Sequence, residues 1–347
     1  MLKRLLVVVV ILMLIVTVSM VAFWEHMLDR INTPHGAEVV DGVFVTIVAG
    51  DSTREIIRRF LDVGIVSDEW TFRFALWHSG RERDLQAGEY FFDHALSPLQ
   101  VVAKVANGRV FLRPITFPEG LTLTEMAAIY EAEELGPASS FIAATKRVAL
   151  VMDVDPVATD LEGYLFPETY ALPHDATADD LVELMVAQFR SVFDDEFQIR
   201  VEARGMNVRQ MVTLASIIEK ETGEGDEHEL VSAVYNNRLR IGMPLQSDPT
   251  VIYALQQDGV YDGNLTRDNL RYDSPYNTYR YRELPPGPIA APGRAVLLAA
   301  IAPADVDYLY FVSRNDGTHA FATTLREHNR NVREFQVDYF RRRRLEE

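Results

Sequence analysis

The sequence contains no cysteine, which removes disulfide bonds, thiol nucleophiles and thiolate metal sites from consideration. Its eight histidines do not show the His-Glu-x-x-His spacing of zinc hydrolases, and the chain has neither a phosphate-binding loop nor a nucleophile elbow. Positive charge is scarce, because 34 basic residues face 51 acidic ones and the formal net charge is -17. We therefore expect no metal, no cofactor and no nucleic-acid partner, since affinity for phosphates comes mainly from Lys and Arg.

The longest apolar run lies at the N-terminus, where Lys3 and Arg4 precede an uncharged stretch from Leu5 to Trp24. About 20 residues are enough to cross a bilayer as a helix, and basic residues ahead of such a run favour the cytoplasm. Residues 1–24 are therefore predicted to be a cytoplasmic end and a single-pass anchor in the inner (plasma) membrane, with the rest periplasmic or extracytoplasmic. A cleaved signal peptide is the alternative, but Met20 is large for the position two before a cleavage site.

A small α+β unit is predicted over residues 43–112, after a linker over residues 25–42. Its predicted order is strand, helix, helix, strand, helix, at Val43–Val48, Arg54–Val63, Ser67–Ser79, Ala87–Phe92 and Ser97–Ala106. This order resembles the LysM-like module, a glycan-binding fold. A spacer that holds the next domain away from the membrane is the alternative.

A larger mixed α+β domain is predicted over residues 113–340, followed by a basic tail over 341–347, so the whole chain is assigned to the α+β class. The texture here changes to longer helices broken by loops that contain Pro and Gly. Helices are predicted over Ala178–Phe193 and Asn207–Thr222, with another from near Glu227. The Asn-Asp-Gly-Thr sequence at Asn315–Thr318 predicts the turn of a β-hairpin.

The helix predicted over Asn207–Thr222 carries two candidate acids near its end. On a wheel of about 100° per residue, Glu219 and Glu221 lie on the two flanks of a broad apolar side. Ala215 and Ser216, one turn before Glu219, are small and predict room for a substrate over its carboxyl. The wheel alone does not choose between the two glutamates, and an ordinary solvated charge cluster is the alternative.

Seven segments between Phe117 and Val332 carry a family resemblance: Leu161–Tyr170, Ala215–Thr222, Asn237–Thr250, Ser274–Tyr279, Leu284–Ile289, Tyr308–Phe311 and His328–Asn329. In this order they resemble the catalytic domain of the endolytic lytic transglycosylases of the MltG (YceG-like) family. The resemblance implies that Glu219, the first glutamate of Glu-Lys-Glu, is the catalytic acid. It also implies an anchored enzyme that cuts nascent peptidoglycan strands and ends their elongation, with penicillin-binding proteins and glycan synthases as partners.

The implied chemistry needs one proton donor and no water. Ordinary glycosidases use two carboxyls, whereas a lytic transglycosylase lets the C6 hydroxyl of N-acetylmuramic acid attack, which leaves a 1,6-anhydro end. Glu219 has to be protonated before reaction, so we predict that partial burial raises its pKa. Two alternatives stay open: a water-using muramidase in which Asp248 assists Glu219, and a non-catalytic, membrane-anchored peptidoglycan-binding scaffold.

Two loops supply six candidate substrate-binding residues: Gln246, Ser247, Asp248, Tyr276, Asn277 and Tyr279. The first three offer an amide, a hydroxyl and a carboxylate for sugar hydroxyls and N-acetyl groups, or for orienting the acid. The other three combine flat apolar faces with polar tips, which suit pyranose rings. Loop packing is the alternative for each, and Glu162 and Glu168 either line the cleft or brace loops.

Overall fold

The computed structural model describes residues 2–35, 42–222 and 227–346. The chain divides into two units, one of Met1–Arg113 with Ala171–Asp175 and the other of Pro114–Tyr170 with Ala176–Glu347. Helices and short two-stranded sheets alternate along it, so the mixed α+β prediction is confirmed.

Helix α1 spans Leu2–Asn32 and is, within the described part of the chain, the one helix long and apolar enough to cross a membrane. The predicted linker over residues 25–42 requires this helix to end near Trp24, but the helix continues to Asn32. Met27 and Ile31 are buried, and Ile31 belongs to the core of the first unit, so packing holds the additional turns helical. Residues 36–41 of the predicted linker lie outside the described residues.

The first unit contains the elements in the predicted order: β1 (Val43–Ile47), α2 (Thr53–Asp62), α3 (Glu69–Ser79), β2 (Gly88–Phe92) and α4 (Pro98–Ala106). The strands pair antiparallel, with Val45 opposite Tyr90. The side chains of Ser52, Asp68 and Ser97 accept backbone N–H groups at the three helix starts, so the N-caps account for where these helices begin.

The remaining elements are β3 (Arg113–Thr116), α5 (Leu123–Ala132), α6 (Ala138–Ala144), β4 (Thr169–Leu172), α7 (Ala178–Val192), α8 (Asp195–Ala203), α9 (Val208–Glu221), α10 (His228–Arg240), α11 (Asp248–Gln257), α12 (Arg294–Ile301), β5 (Tyr310–Ser313), β6 (His319–Ala322), α13 (Leu325–Val332) and α14 (Tyr339–Glu346). Short 3₁₀ turns lie at Val148–Leu150 and Asn269–Arg271, and a π-helical stretch at Arg333–Asp338 joins α13 to α14. The predicted basic tail therefore continues a helix through Glu346.

Helix α9 forms the centre of the second unit, where it packs against α8, α10, α11 and α12. Every residue from Met211 to Ile218 is buried, and a capping box of Asn207 with Gln210 starts the helix. Burying each large aliphatic side chain contributes about 1.5–3 kcal/mol. The last turn of α9, which carries Glu219 and Glu221, is therefore fixed by a well-packed core.

The predicted hairpin near the C-terminus is confirmed. Strands β5 and β6 pair antiparallel, with Tyr310 opposite Ala322, and the N–H of Arg314 donates to the carbonyl of Thr318 (2.9 Å). Asn315 has a φ of 65°, in the left-handed region that Asn enters more readily than most residues.

Candidate active site

Glu219 is a partly buried carboxyl at the end of α9. The backbone N–H of Gly293 donates to its Oε2 atom (2.9 Å). Burial raises the pKa of Glu219 to about 7; the Gly293 N–H and the Lys220 ammonium lower it, and the charge of Glu119 raises it further. The predicted upward shift by desolvation is confirmed, and a carboxyl with this pKa is partly protonated at neutral pH.

Two chain segments lie beside Glu219, and hydrogen bonds join them to each other. Gly120 donates its N–H to the carbonyl of Ala291, and Ala291 donates back to the carbonyl of Leu121, both at 2.8 Å. The Lys220 ammonium donates to the Gly120 carbonyl (3.0 Å). The residues before α5 and those before α12 are thereby held together at the end of α9.

The space above Ala215 and Ser216 is taken by protein, contrary to the expectation that it would receive substrate. Both residues are fully buried, and the Ser216 hydroxyl oxygen accepts the N–H of Ile289 (3.0 Å). Small side chains at these positions let the segment before α12 approach the helix closely. The same approach brings the N–H of Gly293 to Glu219.

A second carboxyl, which the sequence did not single out, lies at this point. A Cβ atom on Gly293 would collide with the carboxyl group of Glu119, and a Cβ on Gly120 would lie 3.5 Å from Cγ of Glu219. The available sequence signal was an acid between Pro118 and Gly120 in a loop, where functional residues concentrate. Sequence spacing did not predict that Glu119 lies near Glu219 and Gly293, because both are far from it along the chain.

Glu221 lies on the opposite side of α9 and is held by two hydroxyl groups. Tyr235 donates to its Oε1 atom at 2.8 Å, and Ser247 donates to the same atom at 2.6 Å. Burial raises the pKa of Glu221, while these two hydrogen bonds lower it. The structure thus separates two glutamates that the helical wheel left equivalent.

Three of the predicted substrate-binding residues line a cavity of about 290 Å³ together with Glu221: Gln246, Asp248 and Tyr279. The Tyr279 hydroxyl donates to Asp248 (2.5 Å), and Ser247 beside them is fully buried. The muramidase alternative expects Asp248 to lie beside Glu219. In the structure Asp248 lies near Glu221 instead. The reason is that α11 begins at Asp248, on the Glu221 side of α9.

The other two predicted residues lie elsewhere. Asn277 is fully buried and donates to the carbonyls of Leu270 (3.2 Å) and Tyr272 (2.7 Å), while its side-chain oxygen accepts the Tyr279 N–H (2.9 Å). These bonds within its own loop are those that the loop-packing alternative expects, and the sugar-binding role of Asn277 stays a prediction. The Tyr276 ring lies 5.0 Å from the ring of Tyr253.

Glu162 and Glu168 have bracing contacts. The Glu162 carboxyl is buried and accepts the N–H of Leu123 (3.2 Å) at the start of α5 and the hydroxyl of Tyr253 (3.2 Å). Burial raises the pKa of Glu162 to about 8. Glu168 is exposed; its side-chain Oε1 atom accepts the N–H of Thr169 (3.0 Å), and its backbone carbonyl accepts the N–H of Phe117 (3.0 Å).

The chemistry available at Glu219 is proton transfer. A carboxyl with a pKa near neutrality can donate a proton as an acid and then accept one as a carboxylate. Within residues 2–35, 42–222 and 227–346, no group of three or more His, Asp or Glu side chains is placed to hold a metal ion.

Comparison with known proteins identifies the family. The model of the YceG-like family matches residues 45–334. The endolytic murein transglycosylase of Bacillus subtilis (strain 168) is 31% identical over 304 residues, which are 83% of this chain and 83% of that protein. The protein of the same name from Streptococcus pneumoniae serotype 2 is 28% identical; the match covers 90% of this chain but only 61% of the pneumococcal protein.

A solved structure agrees with these matches. The crystal structure of a YceG-like protein from Listeria monocytogenes superposes with a TM-score of 0.58 at 31% sequence identity, and the match covers 84% of this chain and 98% of that one. The resemblance inferred from the seven segments is confirmed. This chain belongs to the YceG-like family.

Proposed function

We propose that this protein is a membrane-anchored endolytic murein transglycosylase with Glu219 as its catalytic acid. The observation that carries the proposal is the state of Glu219, a partly buried carboxyl with one backbone donor and a pKa raised to about 7. Such a group can act as a proton donor at neutral pH. The two bacterial relatives described above are named for the same activity.

In the proposed reaction, protonated Glu219 gives its proton to the glycosidic oxygen between N-acetylmuramic acid and N-acetylglucosamine. The bond from that oxygen to C1 of the muramic residue breaks through an oxocarbenium-like state. The C6 hydroxyl oxygen of the same residue bonds to C1, and its proton passes to the Glu219 carboxylate. The acid is regenerated, no water is consumed, and the cut strand ends in 1,6-anhydro-N-acetylmuramic acid.

The water-using muramidase is the less favoured candidate. It requires a second carboxylate to activate water or to act as the nucleophile, and Asp248, proposed for that task, lies with Glu221 and Tyr279. The carboxyl that does lie near Glu219 is that of Glu119, so the ends of the reaction products decide between the two candidates. A non-catalytic scaffold is also less favoured, because the two bacterial relatives described above are named as murein transglycosylases.

The test is digestion of purified glycan strands by the full chain, followed by mass analysis of the products. Lytic cleavage gives anhydro ends, which are lighter by one water than the reducing ends left by hydrolysis. We expect anhydro products from the wild type and none from Glu219→Gln. Glu133→Gln, which removes the same charge at an exposed position, is the matched control and should retain full activity. Reducing ends from the wild type, or equal output from Glu219→Gln, would contradict the proposal.

Glu221→Gln resolves the choice between the two glutamates. The amide oxygen of Gln can still accept the hydroxyls of Tyr235 and Ser247, so this variant keeps the hydrogen bonds that hold the side chain. We expect it to form product at least about tenfold faster than Glu219→Gln, the factor that one catalytic proton transfer readily exceeds. The opposite order would move the proposed acid to Glu221.

Anchoring by α1 is the second part of the proposal, with the N-terminus in the cytoplasm and the two units outside the inner membrane. The side chains from Leu5 to Trp24 are exposed, as expected of a helix surrounded by lipid. Tethering would keep the site near nascent strands, where penicillin-binding proteins and other glycan synthases are the proposed partners.

Tryptophan fluorescence tests the anchor, because the chain has only three tryptophans. Trp24 packs edge-on against Phe74 (5.4 Å) and Trp77 (5.9 Å), at the end of the apolar run. A chain with Trp70→Phe and Trp77→Phe leaves Trp24 as the reporter. In vesicles of lipids brominated near the headgroup, its emission should be quenched, since Trp favours the membrane interface. Unquenched emission would argue against the anchor.

For residues 43–112 we propose a LysM-like module that binds glycan. Support comes from the order of its elements and from Phe44, which is 47% exposed and packs 4.6 Å from the ring of Phe91. Exposed aromatic faces suit sugar rings. Co-sedimentation of inactive Glu219→Gln protein with insoluble peptidoglycan should weaken on adding Phe44→Ala; unchanged sedimentation would favour the spacer.

A further inference from the structure

Gly293 is where the two carboxyl side chains of the site meet. Its N–H donates to Glu219 (2.9 Å), and the place that a Cβ atom would occupy is filled by the carboxyl of Glu119. The φ of Gly293 is -77°, which any residue adopts without strain. A side chain at Gly293 would therefore displace the Glu119 carboxyl, and it would meet no obstacle from the backbone conformation.

The backbone fixes Glu119 in this place. The hydrogen bonds that join Gly120 and Leu121 to Ala291 hold the residues next to Glu119 against the segment that leads to Gly293. Thr122 then caps α5, with Glu125 completing a capping box. Although the Glu119 side chain is exposed to solvent, its backbone lies between the hydrogen bond of Phe117 to Glu168 and that of Gly120 to Ala291.

The charged groups that face Glu219 oppose one another. From its own helix, the Lys220 ammonium favours the ionised carboxylate, as does the Gly293 N–H from the segment before α12. From the loop before α5, the negative charge of Glu119 favours the protonated form. Among these three neighbours, Glu119 is the one whose charge acts in the same direction as burial.

We propose that Glu119 is a positioning residue of the active site, whose carboxylate acts across Gly293 to keep Glu219 in its proton-donating form. The inference rests on the proposed role of Glu219 and adds to it a second carboxyl that does not touch the reacting atoms. The lone acid of the transglycosylase mechanism then has a partner that donates no proton and activates no water. Because Glu119 is exposed, its influence is screened by salt.

The decisive variant is Glu119→Gln, which keeps the shape of the side chain and removes its charge. The pKa of Glu219 is measured directly, from the ¹³C shift of its labelled carboxyl, with Glu219→Gln to assign the signal. We expect Glu119→Gln to lower the pKa of Glu219 by about half a unit at low salt, the order expected for two charges a few ångströms apart in a water-like dielectric. The difference should shrink as salt is added.

The activity profile gives a second reading. The rate of strand cleavage by Glu119→Gln should decline on the alkaline side at a pH about half a unit below that of the wild type at low salt. The Glu133→Gln profile should match that of the wild type. An unchanged Glu219 titration in Glu119→Gln overturns this inference alone, even if the variant has lost activity. A wild type that forms no anhydro ends overturns the proposed function, whatever the titration shows.

Discussion

Glu219 and Glu221 leave the last turn of α9 on opposite sides, and their hydrogen-bond partners differ in kind. Glu219 receives one backbone N–H, from Gly293, whereas Glu221 receives two hydroxyls, from Tyr235 and Ser247. Two residues apart on a helix means a rotation of about 200°. The Glu219 carboxyl is the one that we propose gives up a proton to a substrate, while two hydroxyl groups of the protein hold the Glu221 carboxyl.

The pH dependence of strand cleavage should follow the protonation of Glu219. Its pKa is raised from 4.5 to about 7, so the proton-donating form prevails below about pH 7 and is lost above it. The rate at low substrate should therefore fall about tenfold per pH unit on the alkaline side. Initial rates between about pH 5 and 9 measure this limb. A limb near 4.5 would contradict the assigned acid.

Gly293→Ala should change the site through Glu119. The new methyl group takes the place of the Glu119 carboxyl, which is the far end of a flexible side chain and moves away, while the N–H to Glu219 remains. We expect a stability change below about 1 kcal/mol, because the backbone at Gly293 accepts Ala. The alkaline limb of the pH profile of strand cleavage should shift to lower pH, as expected for Glu119→Gln.

The same substitution in a Glu119→Ala background provides the control for Gly293→Ala. With the carboxyl of Glu119 already removed, the methyl group meets nothing that alters the charge near Glu219, so the limb should not move further. A shift of equal size in both backgrounds would mean that Gly293 acts independently of Glu119.

Ser247→Ala should destabilise the protein because it removes a donor from a buried carboxyl. Ser247 is fully buried, and losing its bond to Glu221 should cost about 1–3 kcal/mol in the free energy of unfolding. The pKa of Glu221 should rise at the same time, since this hydrogen bond lowers it. Urea unfolding at neutral pH measures the loss, and Ser191→Ala, at an exposed hydroxyl, should stay within about 0.5 kcal/mol of the wild type.

Glu162→Gln should change stability in a way that depends on pH. The folded pKa of Glu162 is about 8 and its ordinary value is 4.5, so its contribution to stability is fully present below 4.5 and is lost as pH rises through about 8. Gln does not ionise and avoids that loss. The free energy of unfolding of Glu162→Gln minus that of the wild type, measured by urea unfolding at each pH, should therefore increase between about pH 5 and 8, by at most about 1.4 kcal/mol per pH unit. A constant difference would mean that Glu162 does not titrate in this range.

Local signals predicted the elements better than they predicted the site. Capping residues such as Ser52 and Asn207, and the Asn-Asp-Gly-Thr turn, act within a few residues, so the helix starts and the hairpin follow from sequence. The direction of the Glu219 pKa shift also followed, since it depends mainly on an apolar helix around the carboxyl.

The arrangement of loops around α9 could not be read in this way. Asn277 looked like a sugar ligand by residue type, yet its bonds to Leu270 and Tyr272 bury it inside its loop. The sequence did not predict Glu119 as a site residue, because its carboxyl comes near Glu219 only when the segment that carries Gly293 packs beside it. Tertiary contacts between distant segments decided both cases, and a single sequence does not record them.

The burial of the last turns of α1 limits where the protein can be shortened. Met27 and Ile31 are buried, Ile31 within the core of the first unit, so a soluble form that begins after Asn32 would leave gaps there. Empty sites of this size typically cost about 2–5 kcal/mol each. A form that begins at Glu25 removes the apolar run from Leu5 to Trp24 and keeps both side chains in place. A shortened form for expression should therefore begin within helix α1, before Met27.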